Sequence, residues 1–334
     1  MADAQRVTLA EAQALAERVC LANRTSPEAA ASTAKALVRA EADGQGGHGL
    51  SRLTSYAAQA RVGKVDGFAT PTSRRVAPAA LIVDAAHGFA YPAIDLALEG
   101  LAEATRANGV AVATIMRSHH FGQVGAHVER LAELGFIAFA VANSPKAMTF
   151  HGGRRPMLGT NPLAFAIPTS DGAPLVIDMA LSQVARAKVI DAEREGRAIP
   201  LGWAVDADGQ PTTDPKAALA GAMVAMGGAK GAALAVMVEL LAGGLAGGAF
   251  GWEASSLLDD KGPPPSMGQV LIAVDPAAFG GAQVLARVGV LLGAMAQEPG
   301  VRPPGQRRLA ARLRAATEGL TLSPGLYAQL LALT

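Results

Sequence analysis

Cysteine is almost missing from this chain. Cys20 stands alone among 334 residues, so no intrachain disulfide is available and a reducing setting is expected. On its helical stretch Cys20 reads as a small buried hydrophobe. Charge is scarce as well: 17% of residues are charged and the net charge is +1, which removes the basic field that a nucleic-acid binder needs. A long uninterrupted apolar run is also lacking. The nearest approach, residues 231–250 (GAALAVMVELLAGGLAGGAF), carries Glu239 near its middle and glycines suited to close packing, so a buried helix is expected rather than a membrane span. The opening MADAQRVTLAEAQAL reads as an amphipathic helix with acidic residues, not a basic segment ahead of an apolar core, and the expected address is cytoplasmic. No G-x-G-x-x-G follows the first strand, so the Rossmann dinucleotide fingerprint is absent. Neither a metal-ligand cluster nor a Ser-His-Asp order stands out.

What is present is apolar bulk and loop chemistry. Half the residues are hydrophobic, enough for two domains or one large interwoven unit. Residues 8–22 and 26–42 read as helices, the first opened by a Thr8–Glu11 capping box and the second by Ser26 ahead of Pro27. The run Asp43-Gly44-Gln45-Gly46-Gly47-His48-Gly49 breaks the pattern before a third helix over 50–60 carrying Arg52 and Tyr56. Histidine titrates near neutral pH and can give a proton to a developing oxyanion or amine. Arg52, four residues on, would share its helical face and could grip a carboxylate.

Residues 69–84 look extended, 91–108 helical and 110–116 a strand. The central stretch 117–168 is the most informative. A polar turn at Ser118-His119-His120 leads through Gly122 into a helix marked by Val124, Val128, Leu131 and Leu134, stopped by Gly135. A strand over 136–141 ends in Asn143-Ser144-Pro145. A long loop without periodicity follows, with Gly152-Gly153, Arg154, Arg155 and Gly159-Thr160-Asn161-Pro162, closed by a strand over 163–167. Such loops usually bind something, and here glycine backbone and Asn, Thr and Arg donors suit an anion. Residues 174–180 form a further strand holding Asp178, before a small-residue helix over 181–192. Residues 202–215 are a polar loop. Gly227-Gly228-Ala229-Lys230-Gly231 opens a helix that can hold phosphate, without the spacing of a Walker loop. A strand over 269–274 and a helix from about 281 precede Arg302-Pro303-Pro304-Gly305-Gln306-Arg307-Arg308, three cations within seven residues. The residues alone stop at an α/β protein with an anion-binding loop.

At His48-Gly49-Leu50-Ser51-Arg52, Ser118-His119-His120-Phe121-Gly122, Asn143-Ser144-Pro145, Gly159-Thr160-Asn161-Pro162, Asp178-Met179-Ala180 and Arg302-Pro303-Pro304-Gly305, the chain resembles the type 2 malate/L-lactate dehydrogenase family. ADGQGGHGLSR and GAKGAALA look closest to its Δ1-pyrroline-2-carboxylate and Δ1-piperideine-2-carboxylate reductases. The resemblance implies an α/β (α+β) non-Rossmann fold, with a mixed, mostly antiparallel sheet and a helical domain from both chain ends. The expected division is 1–70 helical, 71–215 cofactor-binding sheet, 216–265 buried helical segment, 266–276 returning strand and 277–334 helical.

It further implies a homodimer with sites near the subunit interface, and the Gly/Ala-rich stretch 230–245 is expected to help hold it. His48 then resembles the proton donor, and Arg52 and Thr160 the grip on the substrate carboxylate. His120, Phe121, Gly122, Gln123, Val124, Asp178, Met179, Ala180, Lys230, Arg302, Pro303, Pro304, Gly305, Gln306, Arg307 and Arg308 resemble the cofactor contacts. NADPH is expected over NADH, with Arg302, Arg307 and Arg308 pairing with the 2′-phosphate. The implied partner is a small imino or 2-oxo acid, with no nucleic acid, membrane or metal. A cyclic imino acid is the expected substrate, because Gly46, Gly47, Ala229, Ala232 and Ala233 leave room for a ring. The alternatives are a malate/lactate-type 2-hydroxy acid dehydrogenase and a catalytically silent cofactor-binding scaffold. Many relatives place Ser before the catalytic His and Asp near position 188; here Gly47 and Lys188 stand there. His151 likewise stands where many have Trp.

Overall fold

The computed structural model describes residues 5–170 and 172–334. Its centre is a seven-stranded sheet in the order Thr72–Ala77, Ala80–Asp84, Val110–Ser118, Met267–Val274, Ile137–Ala142, Leu163–Ile167, Leu175–Met179. Only Ala80–Asp84 and Val110–Ser118 run parallel; every other neighbour is antiparallel, as expected. The late strand Met267–Val274 inserts between two strands that come well over a hundred residues earlier. Along these strands alternate residues face opposite sides. Ala111, Ala113, Ala138, Ala140, Ala164, Ala166 and Ala273 share a core with the helices Ala90–Asn108 and Val124–Glu133. Val141, Leu163 and Val270 join a second core with the helix Ala229–Glu239 and a smaller sheet. Small side chains on the first face let those two helices lie close to the sheet.

The helices Leu9–Ala22 and Pro27–Ala42 have the expected caps: Thr8 and Glu11 form a reciprocal box, and Ser26 caps with Pro27 in the first turn. Cys20 is buried between them and their neighbours, and burial pushes its thiol up to about 12. The first stretch departs from expectation at its start. Gln5–Val7 is a strand, not helix, because it pairs antiparallel with Leu320–Leu322; residues 1–4 lie outside the described residues. The helices Gln306–Glu318 and Pro324–Leu331 pack against the N-terminal helices, so both chain ends form one helical layer.

Other expectations change in detail. The loop 143–162 contains the strands Met148–Thr149 and Pro156–Leu158, which join Ala204–Val205, Pro211–Thr212 and Ala222–Met223 in a second, five-stranded sheet. The helix expected over 181–192 begins only at Arg186. The backbone of 181–183 is drawn off by hydrogen bonds, Leu181 donating to the Thr160 carbonyl and Gln183 to that of Val224. The apolar stretch 231–250 forms the helix Ala229–Glu239 and a wider π turn, Leu240–Leu245, whose outer residues Leu240 and Leu245 are exposed. Among the described residues no helix is long and apolar enough to cross a membrane. A second apolar helix, Ala282–Gln297, has no buried residue in the single chain.

Glu239 explains why that apolar stretch carries an acid. It is buried and accepts from Asn143 Nδ2 (2.9 Å), Asn161 Nδ2 (2.7 Å) and the Gly251 amide (2.6 Å). Glu239→Ala therefore strips three buried donors of their acceptor, each worth about 1–3 kcal/mol. Denaturant unfolding of this variant should show a loss of about 3 kcal/mol or more; a loss below about 1 kcal/mol would contradict the role of Glu239 as the hub of these loops.

Candidate active site

His48 sits in a backbone that is not an α-helix. Gly46–His48 and Leu50–Arg52 are separate 3-10 turns, joined by Gly49 in an extended conformation (φ −97°, ψ −145°) before the helix Leu53–Val62 begins. His48 and Arg52 therefore do not share a helical face as the spacing implied. Instead Arg52 folds back, its Nε donating to the Gly47 carbonyl at 2.6 Å, which sets its charge beside the imidazole.

The end of the strand Val110–Ser118 delivers the second histidine group. His120 stacks on His48 with ring centroids 5.2 Å apart and planes at 21°. His120 Nδ1 is hydrogen-bonded to the Tyr56 hydroxyl at 2.7 Å, and Tyr56 to Tyr91 at 3.2 Å. His119 is hydrogen-bonded through Nε2 to Gln59 Oε1 (2.6 Å), and its carbonyl accepts from Gln269 Nε2. Removal from water favours neutral rings here, and the positive charge of Arg52 adds to it. Burial, then Arg52, pulls His48 down to about 4; burial, then Lys64 and Arg52, pulls His119 to about 3. His120 is held well below the usual histidine range by the same burial, with Arg52 next. His48 Nδ1 is buried and unpartnered.

Thr160 stands in a second wall. Its amide donates to Ser144 Oγ at 3.0 Å, and its carbonyl accepts from Leu181, next to Ala180. A single segment ties this wall to the histidine wall. Gly251 lies against Ser144 and Gly159, while farther along Lys64 Nζ donates to the carbonyls of Ser256, Asp259 and Lys261, and Gln59 Nε2 to that of Asp259. Gln59, Lys64 and Tyr91 carried no signal in the sequence. Their partners are distant in the chain, and polar residues in a helix or just after one usually read as solvated.

The expected cofactor residues divide into three groups. Asp178 meets the loop 120–124, accepting from the Gly125 amide at 2.8 Å, and burial pushes its carboxyl up to about 6 against that bond. Gly305 (φ +81°) rests on the strand holding Asp178, where a Cβ would stand 3.0 Å from the Val176 carbonyl. These segments converge, with Met179 exposed and Ala180 beside them. Phe121, Gln123 and Val124 are buried, so their side chains shape the loop, and His120 is the half-buried side chain of that run. Arg308 is not the free surface cation that its turn suggested. It is 6% exposed, its Nη1 is bound to Glu129 (2.6 Å) and Asp43 (3.3 Å), and its Nη2 is buried without a partner. It lies on the inner face of its helix, whereas Arg302 and Arg307 are exposed. Pro303, Pro304 and Gln306 lie on the same turn. Lys230 is exposed at the start of Ala229–Glu239. Ala232 faces the second core rather than open space. Lys188 is exposed, and a Cβ at Gly47 would meet nothing within 4 Å, so a serine there is not excluded by space. No metal-binding group occurs among the described residues.

Comparison with known proteins places this arrangement in company. The profile that describes the malate/L-lactate dehydrogenase family matches residues 7–331. A (2R)-3-sulfolactate dehydrogenase (NADP(+)) of Chromohalobacter salexigens is 49% identical over 306 residues, covering 92% of this chain and 91% of the relative. A Δ1-pyrroline-2-carboxylate/Δ1-piperideine-2-carboxylate reductase of Pseudomonas aeruginosa is 43% identical, covering 98% and 99%. The crystal structure of Δ1-piperideine-2-carboxylate reductase from Pseudomonas syringae pathovar tomato superposes with a TM-score of 0.94 at 38% identity, covering 99% and 100%.

The buried rings make a pH prediction. His48, His119, His120 and His127 are all depressed by burial, so between about pH 6.5 and their folded values the unfolded chain binds protons that the folded chain refuses. Asp178 and Glu41, both raised by burial, act the other way with one proton each. The balance leaves folding stability falling by roughly 2–4 kcal/mol per unit as pH drops from 6 towards 4.5. Thermal melts should show Tm dropping over that window; a flat Tm from pH 7 to 4.5 would contradict the neutral cluster.

Proposed function

We propose, from the premise that the chain belongs to the malate/L-lactate dehydrogenase family, that it is an NADPH-dependent reductase of a cyclic imino acid. Δ1-Pyrroline-2-carboxylate or its six-membered homologue is reduced to L-proline or L-pipecolate. The observation that carries the finer reading is the state of His48: desolvated, beside Arg52, neutral at physiological pH and without a carboxylate behind Nδ1. Such an imidazole is a poor source of a mobile proton for a ketone. An imine can arrive already protonated, and then needs a hydrogen-bond partner at nitrogen more than an acid. Arg52 and Thr160 hold the carboxylate in this reading, and His48 faces the ring nitrogen.

The residues fit a nicotinamide dinucleotide. The unpartnered Nη2 of Arg308 beside Gly305, and the junction of 120–124 with Asp178–Ala180, offer a donor and a backbone cradle where a longer side chain at 305 would intrude. Bound there, the coenzyme supplies the hydride. The chain's own groups orient the acceptor, exclude water and hold the nitrogen proton. Exposed Arg302, Arg307 and Lys230 are the cations available to a 2′-phosphate.

A second reading has its own support. The relative at 49% identity is named for sulfolactate, so a 2-oxo acid with a second anionic group is the rival substrate. NADPH and NADH oxidation against both cyclic imines, pyruvate, oxaloacetate and the ketone of 3-sulfolactate separates the two. The imines should show the highest kcat/KM, with NADPH preferred. His48→Ala should lower kcat by about 10²-fold at pH 8 and less at pH 6, because the imine is then protonated from solvent. Far better turnover of the sulfonated ketone, or an unchanged kcat in His48→Ala, would sink this reading. A protein inactive on every acid would instead be a silent scaffold.

The homodimer is likewise our reading, supported by apolar surface rather than by an observed partner. Leu240 and Leu245 of the π turn and Val290 and Leu291 of the helix Ala282–Gln297 are each more than half exposed. Light scattering at micromolar concentration should give twice the chain mass; a monomer would refute it.

A further inference from the structure

The turn that carries His48 rests on a carboxylate outside the presumed substrate contacts. Glu41, in the last turn of the helix Pro27–Ala42, accepts from the Leu50 amide through Oε2 at 2.9 Å. Two glycines pack directly on that carboxylate. A Cβ at Gly46 would stand 3.3 Å from Oε1, and a Cβ at Gly49 would collide with Oε2 and lie 3.1 Å from the Glu41 backbone nitrogen. His48 lies between them in sequence. The same backbone holds Arg52, whose amide donates to the Gly49 carbonyl at 3.0 Å and whose Nε reaches back to Gly47. Among the described residues the His48 Nδ1 has no hydrogen-bond partner, and Lys188 stands exposed.

We infer that Glu41 is a positioning residue for His48 and Arg52, fixing the two short turns so that both side chains face one substrate. It takes over the orienting task for which this chain lacks a serine and an aspartate. The inference rests on the reading of His48 and Arg52 as substrate-facing groups. Glu41 acts through the Leu50 amide and the two glycines and touches no reacting atom. On the far side the ring of His120, held by Tyr56, completes the clamp. What the turn requires of residue 41 is an acceptor of the right length. Burial pushes the Glu41 carboxyl above the usual range while the Leu50 amide pulls it back, so a neutral amide oxygen can serve in its place.

The test uses Glu41→Ala, Glu41→Asp and Glu41→Gln, each alone and combined with His48→Ala. The readouts are steady-state kinetics on whichever acid the wild type reduces best, NADPH affinity by fluorescence titration, and thermal melts. Misplacing a reacting group costs about tenfold or more in rate. Glu41→Ala should lose at least that in kcat with NADPH affinity within about twofold, and Glu41→Gln should recover most of it. Glu41→Asp keeps the charge but falls short of Leu50; it should also lose kcat, and it carries the test if the alanine variant does not fold. In a His48→Ala background the Glu41 changes should cost less in kcat, because only the part acting through Arg52 is left. Equal losses with and without His48, a glutamine variant as slow as alanine, or wild-type kcat in both shortened variants would overturn the inference. Because the assay follows the wild type's own best substrate, a wrong imino-acid assignment shows separately in the wild-type panel.

Discussion

A buried ion cluster holds the parts of this molecule together. Asp43 follows the second helix, Glu129 lies in the helix Val124–Glu133, and Arg308 and Arg312 come from the helix Gln306–Glu318. Arg312 bridges both acids, at 2.6 Å to Asp43 and 2.8 Å to Glu129; Arg308 reaches Glu129 at 2.6 Å, and Arg39 adds a contact of 2.5 Å. Both carboxylate side chains are fully buried. Glu129 is desolvated, yet Arg312 and Arg308 hold it down to about 2. Ions taken from water in this way are tolerated when opposite charges face them, and removing one partner of such a set costs about 3–5 kcal/mol. The beginning, middle and end of the chain are thereby locked in one register.

The site hangs from that lock. Asp43 directly precedes the turn bearing His48, and its carboxylate also accepts from Gln123 in the loop bearing His120. The two stacked rings are therefore fixed from a common base. Around them burial does most of the electrostatic work. Three neutral histidines, His48, His119 and His120, and two tyrosines lie close to Arg52, whose charge lacks a carboxylate partner among the described residues. Under the proposed function a substrate carboxylate supplies that partner, and its binding then also orients the substrate.

Local chemistry was legible in the sequence, and long-range pairing was not. The Thr8–Glu11 box, the Ser26–Pro27 start, the stop at Gly135 and the strand Leu163–Ile167 follow from residues within a few positions of one another. Gln5–Val7 is a strand only because Leu320–Leu322 lies beside it, and nothing in Gln-Arg-Val signals that. Arg308 looked like a surface cation because its acids are 265 and 179 residues away. His48 and Arg52 were recognisable as types, but the break at Gly49 that re-aims them depends on Glu41 packing beneath the turn. The convergence of 120–124, 178–180 and 305–308 likewise belongs to the fold rather than to any one motif.

The central claim is that His48 is a neutral, desolvated ring set against Arg52, and NMR titration of its imidazole carbon resonances tests it most directly. In the unliganded protein the His48 signal should stay in its neutral position from pH 8 down to pH 5, with a midpoint near the value of about 4 that burial imposes. A midpoint near the ordinary histidine value of about 6.5 would contradict the account.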